Sequence, residues 1–211
     1  MGKHSPILNP AKTDVVILCG GLGTRLRPVL GDHAKGLALV GGKPFLDILV
    51  DWAAGFGFQR FLFCIGYKGE EIRAHFAGRQ GMQALFSEEK ELLGTAGALK
   101  LCRPLLASET FVALNGDSLC RVELPGMLEF HQKMGAQATI AAVDPKAQRD
   151  GGYIEVDDRS RVISFLEKKY EAGRCMNAGI YTLHQAVLDA VPAGKPFSME
   201  RELFPALLDG S

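Results

Sequence analysis

The sequence has no excess of charge. Its 24 basic and 24 acidic residues cancel to a formal net charge of zero, which argues against a general nucleic-acid or membrane-surface binder, whose footprint would be a basic surplus. No apolar run reaches the length of a membrane span, and the first fourteen residues lack the apolar core of a signal peptide. The Met1-Gly2 start invites myristoylation, but Pro6 stands where Ser or Thr is required. Paired cysteines are missing too. Cys19, Cys64, Cys102, Cys120 and Cys175 are scattered without a C-x-x-C, which fits neither a disulfide framework nor a zinc site. Free thiols in apolar runs point to a reducing compartment, so a soluble, cytoplasmic protein is expected. There is no internal repeat and no low-complexity tract.

What is present is a chain of 211 residues with 47% hydrophobic content, enough for one domain with a sizeable core. Residues 1–13 read as a loose N-terminal extension. The unbroken run Val15-Val16-Ile17-Leu18-Cys19 suits a strand buried on both faces of a parallel sheet. Strand and helix then alternate: helix 44–56 with Pro44 in its first turn, strand 60–65, helix 69–76, strand 83–87, helix 95–102, strand 110–114. A helix over 124–134 leads to a strand over 138–143. Three closely spaced strands follow at 153–156, 162–165 and 178–182, before a final helix that Ser198 caps and that runs to about residue 208. Repeated strand–helix units predict an α/β fold, and the closing strands predict antiparallel members and a lobe for a second ligand. The division expected is a first part over 14–121, built of the alternating units, and a second-ligand part over 122–211.

Directly after the first strand stands Gly20-Gly21-Leu22-Gly23-Thr24-Arg25-Leu26-Arg27-Pro28. Glycines this dense let backbone N–H groups turn inward around an anion. Thr24 extends the donor set, and Arg25 can fork onto two phosphate oxygens. Lys35 follows ten residues later, a second cation suited to charge building on a leaving pyrophosphate. Two other glycine motifs fit poorly. Leu26 stands where a dinucleotide-binding fingerprint needs a small residue, and no G-K-[ST] follows as in a P-loop.

The string from Gly20 to Pro28, then Lys35, then Lys43-Pro44-Phe45-Leu46, resembles the sugar-1-phosphate nucleotidyltransferases. The likeness is nearest to guanylyltransferases acting on heptose 1-phosphate or mannose 1-phosphate. The resemblance implies a Rossmann-like three-layer α/β/α sandwich with a mixed, mainly parallel sheet. It also implies the reaction NTP + sugar 1-phosphate → NDP-sugar + pyrophosphate. By the same resemblance Gly20, Gly21, Gly23 and Thr24 bind nucleotide, and Arg25 and Lys35 grip the triphosphate. Ala34 stands where the family usually has proline.

The segment Glu89-Lys90-Glu91-Leu92-Leu93-Gly94-Thr95 resembles the family's base-reading loop, with Gly94 letting the backbone approach the base. Its reading side chain would be Glu89, and a carboxylate accepts from both guanine N1–H and the 2-amino group. The competing reading is a solvated charged turn. Asp117 closes a strand in Leu114-Asn115-Gly116-Asp117, where ligands gather in parallel sheets. It is a candidate ligand for Mg²⁺, which takes few carboxylates and fills its shell with water and phosphate oxygens; the resemblance matches it to the family's metal-binding aspartate. In Phe165-Leu166-Glu167-Lys168 the resemblance assigns Glu167 to sugar hydroxyls and Lys168 to the sugar phosphate, and it places Gly152 and Asn177 in the sugar pocket. Relatives carry a second metal-binding aspartate on a strand after the helix matching 198–208, and this sequence ends at Ser211. The expected partners are a nucleoside triphosphate and a sugar 1-phosphate, with no nucleic acid and no membrane; homo-oligomerisation is left open. The rivals are a non-catalytic sugar-nucleotide sensor and, more weakly, a nicotinamide-dependent oxidoreductase.

Overall fold

A computed structural model describes residues 8–21, 33–144, 152–167 and 174–209. Its spine is one eight-stranded sheet. Strand β1 (Asp14–Leu18) is followed by a small hairpin of β2 (Leu39–Val40) and β3 (Lys43–Pro44), then by helix α1 (Phe45–Ala54), β4 (Arg60–Ile65), α2 (Gly69–Phe76), β5 (Gln83–Glu88), α3 (Gly94–Cys102) and β6 (Thr110–Asn115). Helix α4 (Leu124–Met134) leads into β7 (Ala138–Val143), β8 (Gly152–Val156), β9 (Val162–Glu167) and β10 (Cys175–His184). The chain closes on a π-helical turn (Met199–Leu203) and α5 (Phe204–Leu208).

The sheet order is β5-β4-β1-β6-β10-β8-β9, with β7 also paired to β10. Strands β5, β4, β1 and β6 run parallel, and β10 joins β6 antiparallel, as β7 and β8 join β10 and β9 joins β8. This is the mixed sheet the sequence predicts. The alternation of a strand's side chains explains the three layers. Val15 and Ile17 face a core built with Leu46 and Leu49 of α1, Phe76 of α2 and Leu128 of α4. Val16 faces the opposite core with Ala96 and Leu99 of α3, Leu188 and Phe204. A strand with apolar neighbours on both sides needs an unbroken apolar run, and Val15-Val16-Ile17-Leu18 of β1 is one. Among the described residues, no helix is long and apolar enough to cross a membrane.

Four local expectations need correction. Pro44 ends β3 and caps α1 rather than sitting in its first turn. Residues 8–12 are tied down, because Asn9 caps a 3₁₀ turn over Pro10–Lys12 and the Leu8 N–H donates to Gln132 Oε1 at 3.3 Å. The strand expected over 178–182 is longer, since its β-bulge between Asn177 and Tyr181 hides the pairing of Met176 and Asn177 with β7. Ser198 does cap the last helical segment, with its hydroxyl accepting from the Arg201 N–H, but that segment opens as a π turn. Pro205, which has no N–H to donate, stands just beyond the joint.

Candidate active site

The parallel strands all end on one edge, and the loops that follow them converge there. Cys19-Gly20-Gly21 follows β1, Gly66 follows β4, Glu89 follows β5, and Gly116-Asp117 follows β6. Cys19-Gly20-Gly21, Glu89 and Gly116-Asp117, together with Lys35 and the start of α3, enclose a cavity of about 360 Å³, and Gly66 stands behind Glu89. The expected residues Gly20, Gly21, Lys35, Glu89, Gly94 and Asp117 all line it.

Glu89 points inward while Glu88, Lys90 and Glu91 lie exposed on the same turn. Its Oε2 accepts from the Leu93 N–H at 3.0 Å, and Glu88 pairs outward with Arg73 at 3.1 Å. Burial raises the Glu89 carboxyl above its ordinary pKa, and the Leu93 amide offsets part of that rise. Space for this carboxylate comes from glycines. A Cβ on Gly20 would lie 2.5 Å from Glu89 Oε1, and one on Gly66 would lie 3.2 Å from it. Gly66 was not among the expected site residues. Its signal was only a glycine directly after a buried strand.

Lys35 opens a 3₁₀ turn, and its Nζ lies 2.6 Å from Asp117 Oδ2. Burial alone would raise the Asp117 carboxyl, but the hydrogen bond and charge of Lys35, with help from Ser118, carry it below the ordinary carboxylate value. Asp117 therefore stays ionised at the mouth of the cavity, its side chain 48% exposed. The departure at Ala34 has a physical reason: its N–H donates to Glu71 Oε2 at 2.9 Å, a bond that proline could not make. Lys43 lies elsewhere, paired with Asp51 on the outer surface.

Gly94 (φ +70°) has a second reason beside the expected one. A Cβ there would stand 2.8 Å from the Phe197 carbonyl oxygen, so the glycine admits a neighbouring chain as well as facing the cavity. That carbonyl accepts from the N–H groups of Ala96 and Gly97 at 3.0 and 3.1 Å. Two free amides of the α3 N-terminus are thereby closed by the backbone of Phe197, and the Met199 N–H donates to Thr95 Oγ1 at 2.8 Å.

A second cavity, of about 370 Å³, is lined by Gly152 and Asn177 together with Phe165, Glu200 and Arg201. Asn177 Nδ2 donates to the Tyr181 hydroxyl at 2.9 Å, and its Oδ1 accepts from the Gly179 N–H. Glu167 ends β9 and is described through its backbone alone; Gly23, Thr24, Arg25 and Lys168 lie outside the described residues. Sequence reasoning also passed over Asn115, whose buried Oδ1 beside the first cavity has no hydrogen-bond partner among the described residues, and Glu200. Among the described residues, no group of three or more His, Cys, Asp or Glu gathers as a metal cluster.

Residues 14–209 match the family described as nucleotidyl transferase. A mannose-1-phosphate guanylyltransferase of Mycobacterium tuberculosis is 34% identical over 200 residues, covering 93% of this chain and 56% of that protein. A D-glycero-alpha-D-manno-heptose 1-phosphate guanylyltransferase of Aneurinibacillus thermoaerophilus is 35% identical over 190 residues, covering 90% of this chain and 82% of that one. The crystal structure of HddC from Yersinia pseudotuberculosis complexed with GMP-PN superposes with a TM-score of 0.80 at 32% identity, over 92% of this chain and 85% of the other. The chain spans about half the length of the mannose-1-phosphate guanylyltransferases it matches.

Proposed function

This chain belongs to the nucleotidyl transferase family, and from that premise we propose that it transfers GMP from GTP to a sugar 1-phosphate. A phosphate oxygen of the sugar 1-phosphate attacks the α-phosphorus of GTP, the bond from that phosphorus to the α,β-bridging oxygen breaks, and pyrophosphate leaves. The observation that carries this reading is the cavity at the strand ends, where an inward carboxylate, Glu89, and an ion pair, Lys35–Asp117, face the same space. A carboxylate acceptor complements guanine, whose N1–H and 2-amino group both donate, and faces an acceptor in adenine N1.

Little covalent work falls to the protein in such a transfer; positioning and charge neutralisation supply the catalysis. Lys35 neutralises phosphate charge from the cavity wall. Arg25, with Gly23 and Thr24, takes the same duty from the glycine loop by resemblance. Mg²⁺ fits the donors present, because Asp117 is an ionised, half-exposed carboxylate beside the space for phosphates and Mg²⁺ takes few carboxylates when phosphates complete its shell. When bound it would draw charge from the triphosphate oxygens. Asp117 would hold it, and Lys35, now on Asp117, would turn to phosphate. Gly152 and Asn177, with Glu167 and Lys168 by resemblance, would hold the sugar phosphate at the second cavity. Relatives named for heptose 1-phosphate and for mannose 1-phosphate lie at similar identity. Heptose 1-phosphate is the first choice, since that relative is matched over most of its length, and mannose 1-phosphate the second.

The test is a pyrophosphate-release screen of GTP, ATP, UTP and CTP against both sugar phosphates with Mg²⁺. Release with GTP that depends on a sugar phosphate is expected. Equal use of UTP would remove the guanine assignment, and product binding without any release would leave a sensor.

A further inference from the structure

One carboxylate that lines the second cavity is hydrogen-bonded to a residue that lines the first. Glu200 stands on the π turn and lines the second cavity. Its Oε2 accepts from Thr95 Oγ1 at 3.1 Å and from Ser198 Oγ at 3.0 Å. Thr95 lines the first cavity from the opening turn of α3. The other oxygen of Glu200, Oε1, accepts from the Tyr181 hydroxyl at 3.1 Å, and that hydroxyl in turn accepts from Asn177 Nδ2. Tyr181 is wholly buried on β10, and burial, with the charge of Glu200, pushes its phenol far above the ordinary value. The phenol therefore keeps the proton it donates to Glu200.

A tie made only for stability would not need this chemistry. Glu200 is half-buried, and taking even part of a carboxylate out of water is costly, while hydroxyl donors return less than a cation would, so apolar packing would serve stability as well. What the carboxylate adds is directionality, because its two oxygens fix the first turn of α3 and the Asn177 segment of β10 relative to one another. We propose that Glu200 is a positioning residue that keeps the nucleotide cavity and the sugar-phosphate cavity in register, so that filling one favours filling the other. The inference rests on the reading that these two cavities hold the two substrates. In-line transfer makes such register valuable, since small misplacements of the reacting atoms cost rate steeply.

The experiment is a binding square with full-length protein and Mg²⁺. Its ligands are the α,β-methylene analogue of GTP, which cannot transfer, and each of mannose 1-phosphate and heptose 1-phosphate. In wild type, the analogue should tighten sugar-phosphate binding about tenfold, and by linkage the reverse should hold equally. In Glu200→Ala the coupling should fall below about twofold, whatever the change in sugar-phosphate affinity alone, while the GTP analogue alone binds within about threefold of wild type. Tyr181→Phe keeps the ring against Phe204, where the centroids are 5.3 Å apart. It should give the same loss, and it carries the test if the alanine variant does not fold. Variants that keep the wild-type coupling, or a wild type that binds both ligands independently, would overturn the proposal alone. Collapse of both lone affinities together with the melting temperature would mark Glu200 as merely structural and also overturn it. A wild type that binds neither ligand would overturn the functional reading itself and this inference with it.

Discussion

Asp14 and Asp117 stand at opposite ends of two neighbouring parallel strands, and they are held in opposite ways. Asp14, at the start of β1, is 1% exposed. It accepts from Arg60 Nε at 2.6 Å, from the Ala107 and Ser108 N–H groups at 2.7 and 2.8 Å, and from Ser108 Oγ at 3.0 Å. Asp117, just beyond β6, is 48% exposed and described with two side-chain partners, Lys35 and Ser118. The first carboxylate is saturated by the protein, and the second keeps room for something else. Residue type alone does not separate an acid that the fold saturates from one that it leaves open; the count of committed donors and the end of the sheet do. This agrees with the rule that ligands gather at the carboxyl ends of parallel strands.

The comparison can be broken most forcefully at its structural end. Asp14→Ala leaves Arg60 Nε, Ser108 Oγ and two backbone amides without their acceptor, and should cost about 3–5 kcal/mol in urea unfolding, while turnover per folded molecule stays near wild type. A loss below about 1 kcal/mol would place Asp14 among ordinary surface acids. The opposite profile is expected at the other end. Lys35→Ala should lower kcat about 10²–10³-fold, with stability changed by no more than about 1 kcal/mol because the pair is half-exposed. Asp117→Asn should raise the Mg²⁺ needed for half-maximal activity several-fold, measured by metal titration of chelator-treated protein. Glu89→Gln should reduce kcat/KM for GTP by the equivalent of about 1–3 kcal/mol, because guanine donors lose an acceptor, and should narrow the preference over UTP. Unchanged discrimination would return Glu89 to the solvated turn.

A smaller effect belongs to His131, a buried group on α4 whose Nδ1 lies 2.9 Å from Thr139 Oγ1. Burial, with the nearby His184, lowers its pKa from 6.5 to about 4. The folded value is depressed, so unfolding takes up a proton between these limits. Its stabilising share is whole above pH 6.5 and is lost as pH falls toward 4. The slope from this one site is at most about 1.4 kcal/mol per pH unit. Urea melts at pH 7, 6 and 5 should show it in wild type and not in His131→Gln.

The sequence made one end of the molecule readable and left the junction hidden. The β-branched run of β1 and the glycines after it are contiguous signals, so the strand, the sheet type and the cavity at its edge could be anticipated. Glu89 could be singled out only through its neighbours Gly94 and Thr95, and the structure separates it from Glu88, Lys90 and Glu91 by direction. Glu200 could not be found this way. Its meaning comes from Thr95 and Tyr181, residues 105 and 19 positions away, and in the sequence it is one of two acids in the first turn of a helix. Gly94 shows the same limit, because its nearest neighbour, Phe197, is far along the chain. The roles assigned to Arg25 and Lys168 rest on resemblance.

The most direct test of the account follows the α-phosphorus itself. Wild-type protein is incubated with Mg²⁺, a sugar 1-phosphate and GTP labelled at either the α or the γ position, and the products are separated. The account predicts α label in a GDP-sugar and γ label in pyrophosphate, in equal amounts. Label from the γ position on the sugar, or in free inorganic phosphate alongside unlabelled GDP, would contradict it.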